Sequence, residues 1–184
     1  MPLPHYTQAK ASVNNFEPVY PNLFEVTLLT PQNDDAGLIL QHVTSVAGLD
    51  ILNPNIDAVG QKYKFADRSY AGMPAQTFVD ITINFTVNLN DSNEAYIYNT
   101  LRDWYKSVYD PQTGEMGLKR DYVGSGVIVQ YNRAGDIFRR ITLKDIFPTG
   151  QLTFLDELNY ETQDAATVSQ VYRCDHWLEE NVGA

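Results

Sequence analysis

The chain has 184 residues, of which 43% are hydrophobic, so it can bury the core of a single domain. Its net charge of −10 disfavours tight binding to nucleic acid, because phosphate binding needs clustered lysine and arginine. The single cysteine excludes an internal disulfide and suits a reducing compartment. No run approaches the ~18 apolar residues of a membrane helix, and residues 1–10 lack the apolar centre of an export signal.

The first part of the chain is predicted to contain two strands and a long loop. After an irregular N-terminal extension at residues 1–20, Asn22–Thr30 alternates apolar residues and predicts a strand. Leu38–Val46 is predicted to be its hairpin partner, because residues 31–37 between them have the composition of a turn. The extended loop at residues 48–74 contains several glycines and prolines, and connections of this length are usually functional.

The stretch Gln76–Leu89 has the most regular pattern in the chain. From Val79 onward every odd position is apolar, which predicts a strand that buries one face and exposes the other. The even positions carry Asp80, Thr82, Asn84, Thr86 and Asn88. Because none of them is lysine or arginine, we expect this strand to present an even polar surface without positive charge.

Residues Asp91–Asp110 form the one helix that the sequence predicts. Asp91 and Glu94 have the spacing of a capping box, and Pro111 ends the helical pattern. The residues that would form its apolar stripe are Ile97, Leu101, Trp104, Tyr105 and Val108. This stripe predicts that the helix packs on the core along one side.

The last part of the chain is predicted to return to strands. Ser125–Asn132 and Ile137–Phe147 flank Arg133–Asp136, which has the composition of a hairpin turn. Leu152–Leu158 is ambiguous, and Ala166–Leu178 is predicted to be the final strand.

The order of these elements predicts the fold class. Several antiparallel strands and one helix are most economically arranged as a mainly β fold with one lateral α-helix, in an antiparallel β-barrel or sandwich. We expect one domain at residues 21–178 and a C-terminal tail at residues 179–184.

No residue pattern indicates an enzyme. Cys174 and His176 would point to the same face of a strand, but two ligands without further partners make a poor zinc site, and a buried thiol is the simpler interpretation. Gly124–Gly126 lacks the third glycine and the context of a dinucleotide site and marks a strand entry or bulge. We therefore expect no catalytic residues, no metal and no cofactor.

Two features suggest surfaces for partners. Residues 118–144 are rich in cations and residues 151–184 are rich in anions. This pattern fits either complementary charged faces between copies or charged faces that are separately solvated. The extended loop carries a basic and aromatic cluster. Its members are Lys62, Tyr63, Lys64, Phe65, Arg68 and Tyr70. Such a cluster suits nucleic-acid contact or docking on another protein, because tyrosine and arginine are favoured at interfaces.

The chain resembles the inner tube proteins of contractile tails, which include the tail tube proteins of contractile phages, of contractile injection systems and of type VI secretion. The resemblance lies in the first strand Pro21–Val26, the loop from Val59 to Pro74, the strand Phe78–Phe85 that leads to the helix with Trp104, and a final strand pair. That pair comprises Leu143–Pro148 and Ala166–Trp177. Residues 1–20 and 112–124 have no counterpart in the family.

The resemblance implies a structural function rather than catalysis. Six copies would form a ring, and rings would stack into a hollow tube inside a sheath, in contact with baseplate and terminator proteins. The tube of a phage would conduct DNA and belong to the virion tail, assembled in the cytoplasm of the host. We expect the polar positions of Gln76–Leu89 to line the channel and the basic and aromatic cluster to contact neighbouring subunits or rings.

Other functions fit the same residues. The tube of an injection or type VI-like device would conduct protein effectors, and a terminator or baseplate protein of the same fold would cap the tube. A soluble β-barrel binding module, with the cluster at residues 62–70 as its ligand face, is an alternative from a different class.

Overall fold

A computed structural model of the chain describes residues 18–31, 42–52, 56–73, 78–88, 97–154, 160 and 165–181. The described strands are β1 (Phe24–Leu29), β2 (Val43–Ala47), β3 (Ala58–Lys62), β4 (Asp67–Ala71), β5 (Val79–Thr86), β6 (Gly124–Tyr131), β7 (Ile137–Phe154) and β8 (Thr167–Asn181). The described helices are α1 (Ile97–Val108), the single turn α2 (Lys119–Tyr122) and the 3-10 turn Leu49–Leu52. The predicted turn at residues 32–37, the helix start at residues 91–96 and the extension at residues 1–17 lie outside the described residues.

Six strands form one antiparallel sheet in the order β1-β6-β7-β8-β5-β2. The predicted mainly β, antiparallel fold with a lateral helix is therefore confirmed. The predicted hairpin between the first two strands is wrong, because β1 pairs with β6 and β2 pairs with β5. Turn composition at residues 31–37 predicts where the chain bends, but the choice of strand partners is made by distant residues.

The hydrophobic core lies on one face of this sheet. Alternate residues of β5 are fully buried, as the alternation predicts, and they pack with buried residues of β1, β6, β7 and β8. Helix α1 covers this face with Ile97, Leu101 and Trp104, which are at most 2% exposed. The predicted apolar stripe therefore contacts the sheet, while Arg102 on the opposite side of α1 is exposed.

Strands β7 and β8 are longer than the sequence predicts. Strand β7 continues through Pro148 to Phe154, so the first residues of the ambiguous stretch belong to it, and β8 runs to Asn181. Both strands shift their inward and outward alternation at the same level, where Asp145 adopts a positive φ of 55°. On β7 the inward residues Leu143 and Ile146 are three positions apart, and this kink curves the sheet.

The curvature brings the two edges of the sheet towards each other. Residues of β1 and β2 line one groove of about 650 Å³, with Phe24, Val26, Val43 and Val46 along its walls. Among the described residues neither β1 nor β2 pairs with a second strand, so both are edge strands of the described sheet. In the described part of the chain, no helix is long and apolar enough to cross a membrane.

Candidate functional site

The polar face of β5 lies on the side of the sheet opposite to the core. Asp80, Thr82, Asn84 and Thr86 are all half-buried at alternate positions of the strand, and Asn88 is exposed two residues after its end. The predicted alternation is therefore present on the folded strand.

The neighbouring strands extend this polar face. On β8, the residues opposite the even positions of β5 are Thr167, Ser169, Val171 and Arg173. On the other side, the Asn84 side-chain amide donates a hydrogen bond to Ser45 Oγ of β2 at 2.8 Å. Directly opposite residues in an antiparallel pair share a face, so the surface spans three strands and is rich in hydroxyl and amide groups.

Arg173 changes the charge of this surface. Its Nε and Nη2 atoms each donate to a carboxylate oxygen of Asp80 at 2.8 Å, in a bidentate pair between β8 and β5. The hydrogen bonds from Arg173 hold the pKa of Asp80 below its ordinary value, and Arg173 also lies over the Phe78 ring at 5.6 Å. The expected surface without positive charge is thus a property of β5 alone, and the folded face is neutral at this point.

Sequence analysis overlooked Arg173 because it is 93 residues from Asp80 along the chain. One pattern could have found it. In the final predicted strand, Arg173 alternates with the buried Tyr172 and Cys174, so it belongs to the polar face of that strand. Only the pairing of β5 with β8 places it beside Asp80.

The basic and aromatic cluster lies on a separate two-stranded sheet. Strands β3 and β4 pair in antiparallel register and do not join the six-stranded sheet, and every residue from Ile56 to Ala71 is exposed. We call residues 56–73 the arm. The arm brings all six predicted contact residues together, with Tyr63 and Tyr70 each 48% exposed and Phe65 92% exposed at the turn.

Part of the uneven charge of the sequence is paired between the described residues of the basic and acidic segments. Lys119 forms an ion pair with Asp175, Arg139 Nε contacts Glu179 Oε1 at 2.6 Å, and Arg140 Nη1 lies 3.9 Å from Glu180 Oε2. The last two pairs follow from the register of β7 with β8. Three cations of the basic segment and three anions of the acidic segment are therefore neighbours in one chain.

Cys174 and His176 do not share a face. Cys174 is fully buried and its Sγ lies 3.0 Å from the His176 carbonyl oxygen, whereas the His176 side chain is exposed. The expectation of a common face is wrong because the alternation of β8 shifts between these residues, so that Trp177 packs against the core. Burial raises the pKa of the Cys174 thiol, which disfavours the nucleophilic thiolate. Among the described residues, no three His, Cys, Asp or Glu side chains are grouped to hold a metal ion.

The predicted strand entry at Gly124 is confirmed. Strand β6 begins at this glycine, and its register with β7 shifts between Gly124 and Ser125. A Cβ atom at Gly124 would lie 2.9 Å from Trp104 Cζ2 and 2.4 Å from the Leu29 carbonyl oxygen. The glycine therefore allows the helix and the β1 edge to approach the start of β6.

The sequence matches no family model and no curated protein. Solved structures with a similar fold include a chain of the sheath–tube complex of the extracellular contractile injection system PVC in its extended state, at 17% identity and a TM-score of 0.60. That match covers 94% of this chain and 97% of the other. A chain of the tube-terminating cap of the anti-feeding prophage gives 16% identity, coverages of 91% and 93%, and a TM-score of 0.61.

A third similar structure is a chain of the PVC sheath/tube terminator in the extended state, at 17% identity and a TM-score of 0.59. It covers 90% of this chain and 98% of its own length. The resemblance inferred from the sequence is thus confirmed at the level of the fold. Over nearly its whole length, this chain has a fold found in the tube and terminator assemblies of contractile injection systems.

Proposed function

We propose that the protein is a structural subunit of the hollow inner tube of a contractile machine, in which six copies form a ring and rings stack. The observation that carries the proposal is the shared fold, which extends over 94% of this chain and 97% of a chain from a sheath–tube complex. A match of this extent leaves little of the chain for a separate catalytic domain. The partners proposed with it are further copies, a sheath protein, and baseplate and terminator proteins.

The free edges of the sheet support ring formation. Strands β1 and β2 each have a partner on one side only among the described residues, and exposed edges promote pairing with other chains. If the edge of one copy joins that of the next, their sheets become continuous and the ring closes without exposed edges. Ring closure would therefore pair edge groups of β1 and β2 that no other described strand pairs.

The polar face of β5 suits the inner wall of such a ring. We assign Asp80, Thr82, Asn84, Thr86 and Asn88 to the channel. Because Arg173 neutralises Asp80, this wall holds neither DNA nor protein strongly by charge. DNA in a phage tail and protein effectors in an injection device are both compatible with it, and a phage tube would place the protein in the virion tail.

The second candidate function is that of a tube terminator. The fold is as similar to a chain of a tube-terminating cap, with a TM-score of 0.61, as to a chain of the sheath–tube complex, with a TM-score of 0.60. A terminator would share the ring but end the stack. The arm distinguishes the two roles. We propose that it contacts the adjacent ring in a stacked tube, a contact that a tube subunit makes with each neighbouring ring.

Negative-stain electron microscopy of the purified protein tests these assignments. We expect stacked rings or hollow tubes, and six-fold class averages would identify the ring. Single rings that never stack at high concentration would assign the terminator function. A protein that remains monomeric at all concentrations would contradict both and favour a soluble binding module.

The channel assignment predicts which side of the sheet a tube encloses. Asn84→Cys lies on the polar face, and Arg102→Cys lies on the exposed side of α1 as a matched control. In assembled tubes we expect a maleimide coupled to a large polymer to label Cys at position 102 but not at position 84, because the polymer cannot enter the channel. Small maleimides should label both. Equal labelling by the large reagent would show that the polar face is outside the tube; the native Cys174 is fully buried.

A further inference from the structure

Two polar side chains of β8 are buried in the core that α1 covers. Gln170 and Tyr172 are each 1% exposed and occupy alternate positions of the strand, so both point to the core face of the sheet. Among the residues that the structure describes, neither Gln170 Oε1 nor the Tyr172 hydroxyl has a hydrogen-bond partner. Because a buried polar group without a partner costs free energy, such atoms in native proteins usually bind an ordered water molecule.

The orientation of the Gln170 amide follows from its other contacts. Its Nε2 atom donates to the carbonyl oxygens of Thr149 and Val171, both at 2.8 Å. A carbonyl oxygen only accepts hydrogen bonds, so the amide cannot exchange its nitrogen and oxygen atoms without losing both contacts. Gln170 Oε1 is therefore an acceptor that still needs a donor.

Gln170 lies where the pairing of β7 with β8 is interrupted. The register shifts between Thr149 and Thr153, and Gly150 in this bulge has a positive φ of 68°. The Gln170 side chain supplies a donor to Thr149 at this point. The amide therefore serves the bulge, and its oxygen atom is buried as a consequence.

The Tyr172 hydroxyl is a donor in the same part of the core. Burial raises the pKa of Tyr172, so the hydroxyl keeps its proton. Its ring packs on Trp104 of α1, with the ring centres 5.1 Å apart. Residues at alternate positions of a strand are only about 6.6 Å apart, so Tyr172 and Gln170 are neighbours on the core face.

The chemistry of the two atoms suits water better than a metal ion. A water molecule can accept a hydrogen bond from the Tyr172 hydroxyl and donate one to Gln170 Oε1 at the same time, so both groups gain a partner. Among the described residues, the buried polar side chains include no carboxylate. A cation at this place would therefore lack a balancing charge in the core.

We propose that the core of this protein binds an ordered water molecule that connects the Tyr172 hydroxyl to Gln170 Oε1. The water links the packing of α1 on β8 to the bulge of β7, where the side chain of Gln170 holds Thr149. The inference goes beyond the proposed function and does not rest on it, because it concerns the interior of a single chain.

The first test removes one hydroxyl group. In Tyr172→Phe the water loses its donor and Gln170 Oε1 is left unsatisfied, so we expect the melting temperature to fall by about 2–12 °C. Tyr109→Phe is the matched control, because Tyr109 is 42% exposed and its melting temperature should not change. A Tyr172→Phe variant at least as stable as the wild type would overturn the inference, since removal of a hydroxyl without a partner has no cost.

A double-mutant cycle tests whether the two side chains act together. In the background of Gln170→Met, the loss caused by Tyr172→Phe should be clearly smaller than in the wild-type background. Equal losses in the two backgrounds would contradict a shared water molecule. All variants are compared as full chains at one protein concentration, because assembly also raises the melting temperature.

A high-resolution structure of the wild type shows the site directly and does not depend on the folding of any variant. We expect a water oxygen within about 3 Å of both Tyr172 Oη and Gln170 Oε1. A direct hydrogen bond between these two atoms, or a metal ion at the site, would contradict the water molecule even if Tyr172→Phe is destabilised.

Discussion

Replacement of Trp104 by alanine should lower the free energy of unfolding by about 3–5 kcal/mol, the usual range for a buried tryptophan. The Trp104 side chain has no exposed surface, and its ring centre lies 5.1 Å from that of Tyr172 on β8. Its Nε1 donates a hydrogen bond to the Tyr122 carbonyl oxygen at 2.7 Å. The substitution leaves a cavity between α1 and the sheet and an unpaired carbonyl group, so both losses add.

Chemical denaturation and thermal melting measure this effect. A loss of that size corresponds to a fall in melting temperature of roughly 6–20 °C for a chain of this length. Arg102→Ala is the matched control on the same helix, since Arg102 is exposed and such changes stay within about 0.5 kcal/mol. A Trp104→Ala variant as stable as Arg102→Ala would mean that α1 does not hold the sheet through this residue.

Replacement of Gly48 by alanine should also destabilise the fold, by about 1–3 kcal/mol for the backbone conformation and more for the clash. Gly48 has a φ of 92°, a backbone conformation that residues with a Cβ atom rarely adopt. An added Cβ would lie 2.5 Å from the Asp80 carbonyl oxygen and 3.4 Å from the Ile81 Cα. Because Gly48 follows β2, the clash would displace the β2 edge from the strand that carries the polar face.

Gly60→Ala provides the control for this prediction. Gly60 lies on the arm, and no described atom comes within 4 Å of a Cβ placed there. We expect Gly60→Ala to unfold at the same denaturant concentration as the wild type, and Gly48→Ala at a clearly lower one. Tube assembly should follow the same order. Equal stability of the two variants would show that the turn at Gly48 can relax without cost to β5.

The ion pair on the polar face has a consequence for the proposed channel. Six copies would each contribute an Asp80–Arg173 pair, so the wall would carry alternating charges that cancel at short range. Neither a polyanion nor a folded protein binds strongly to such a surface, and this property suits a passage for either cargo.

Several elements of the fold could be predicted from local sequence. The alternation from Val79 onward gives β5, the stripe that contains Trp104 gives α1, and Arg133–Asp136 gives the turn between β6 and β7. In each case one stretch of chain contains both the hydrophobic period and the residues that end it. The arm was predicted only as a long loop, because strands that are exposed on both faces have no hydrophobic alternation.

The candidate site also contains residues that the sequence identifies and residues that it does not. The polar residues of β5 and the basic and aromatic residues of the arm were identified from the sequence, since each set lies within one segment. Arg173 was not identified from the sequence, and neither was the placement of Cys174 and His176 on different faces. Both depend on β8, whose partner β5 is distant in sequence and whose alternation shifts opposite Asp145.

The sequence by itself determined that β5 has one apolar and one polar face, that a lateral helix covers a mainly β core, and that a basic and aromatic cluster lies at positions 62–70. Only the tertiary structure decided that β1 and β2 are edges rather than a hairpin, that Arg173 neutralises Asp80, and that β3 and β4 pair as a separate two-stranded sheet. The physical reason is that alternation sets the direction of side chains along one strand. Register between strands far apart in sequence decides which side chains meet, and it follows from packing of the whole core.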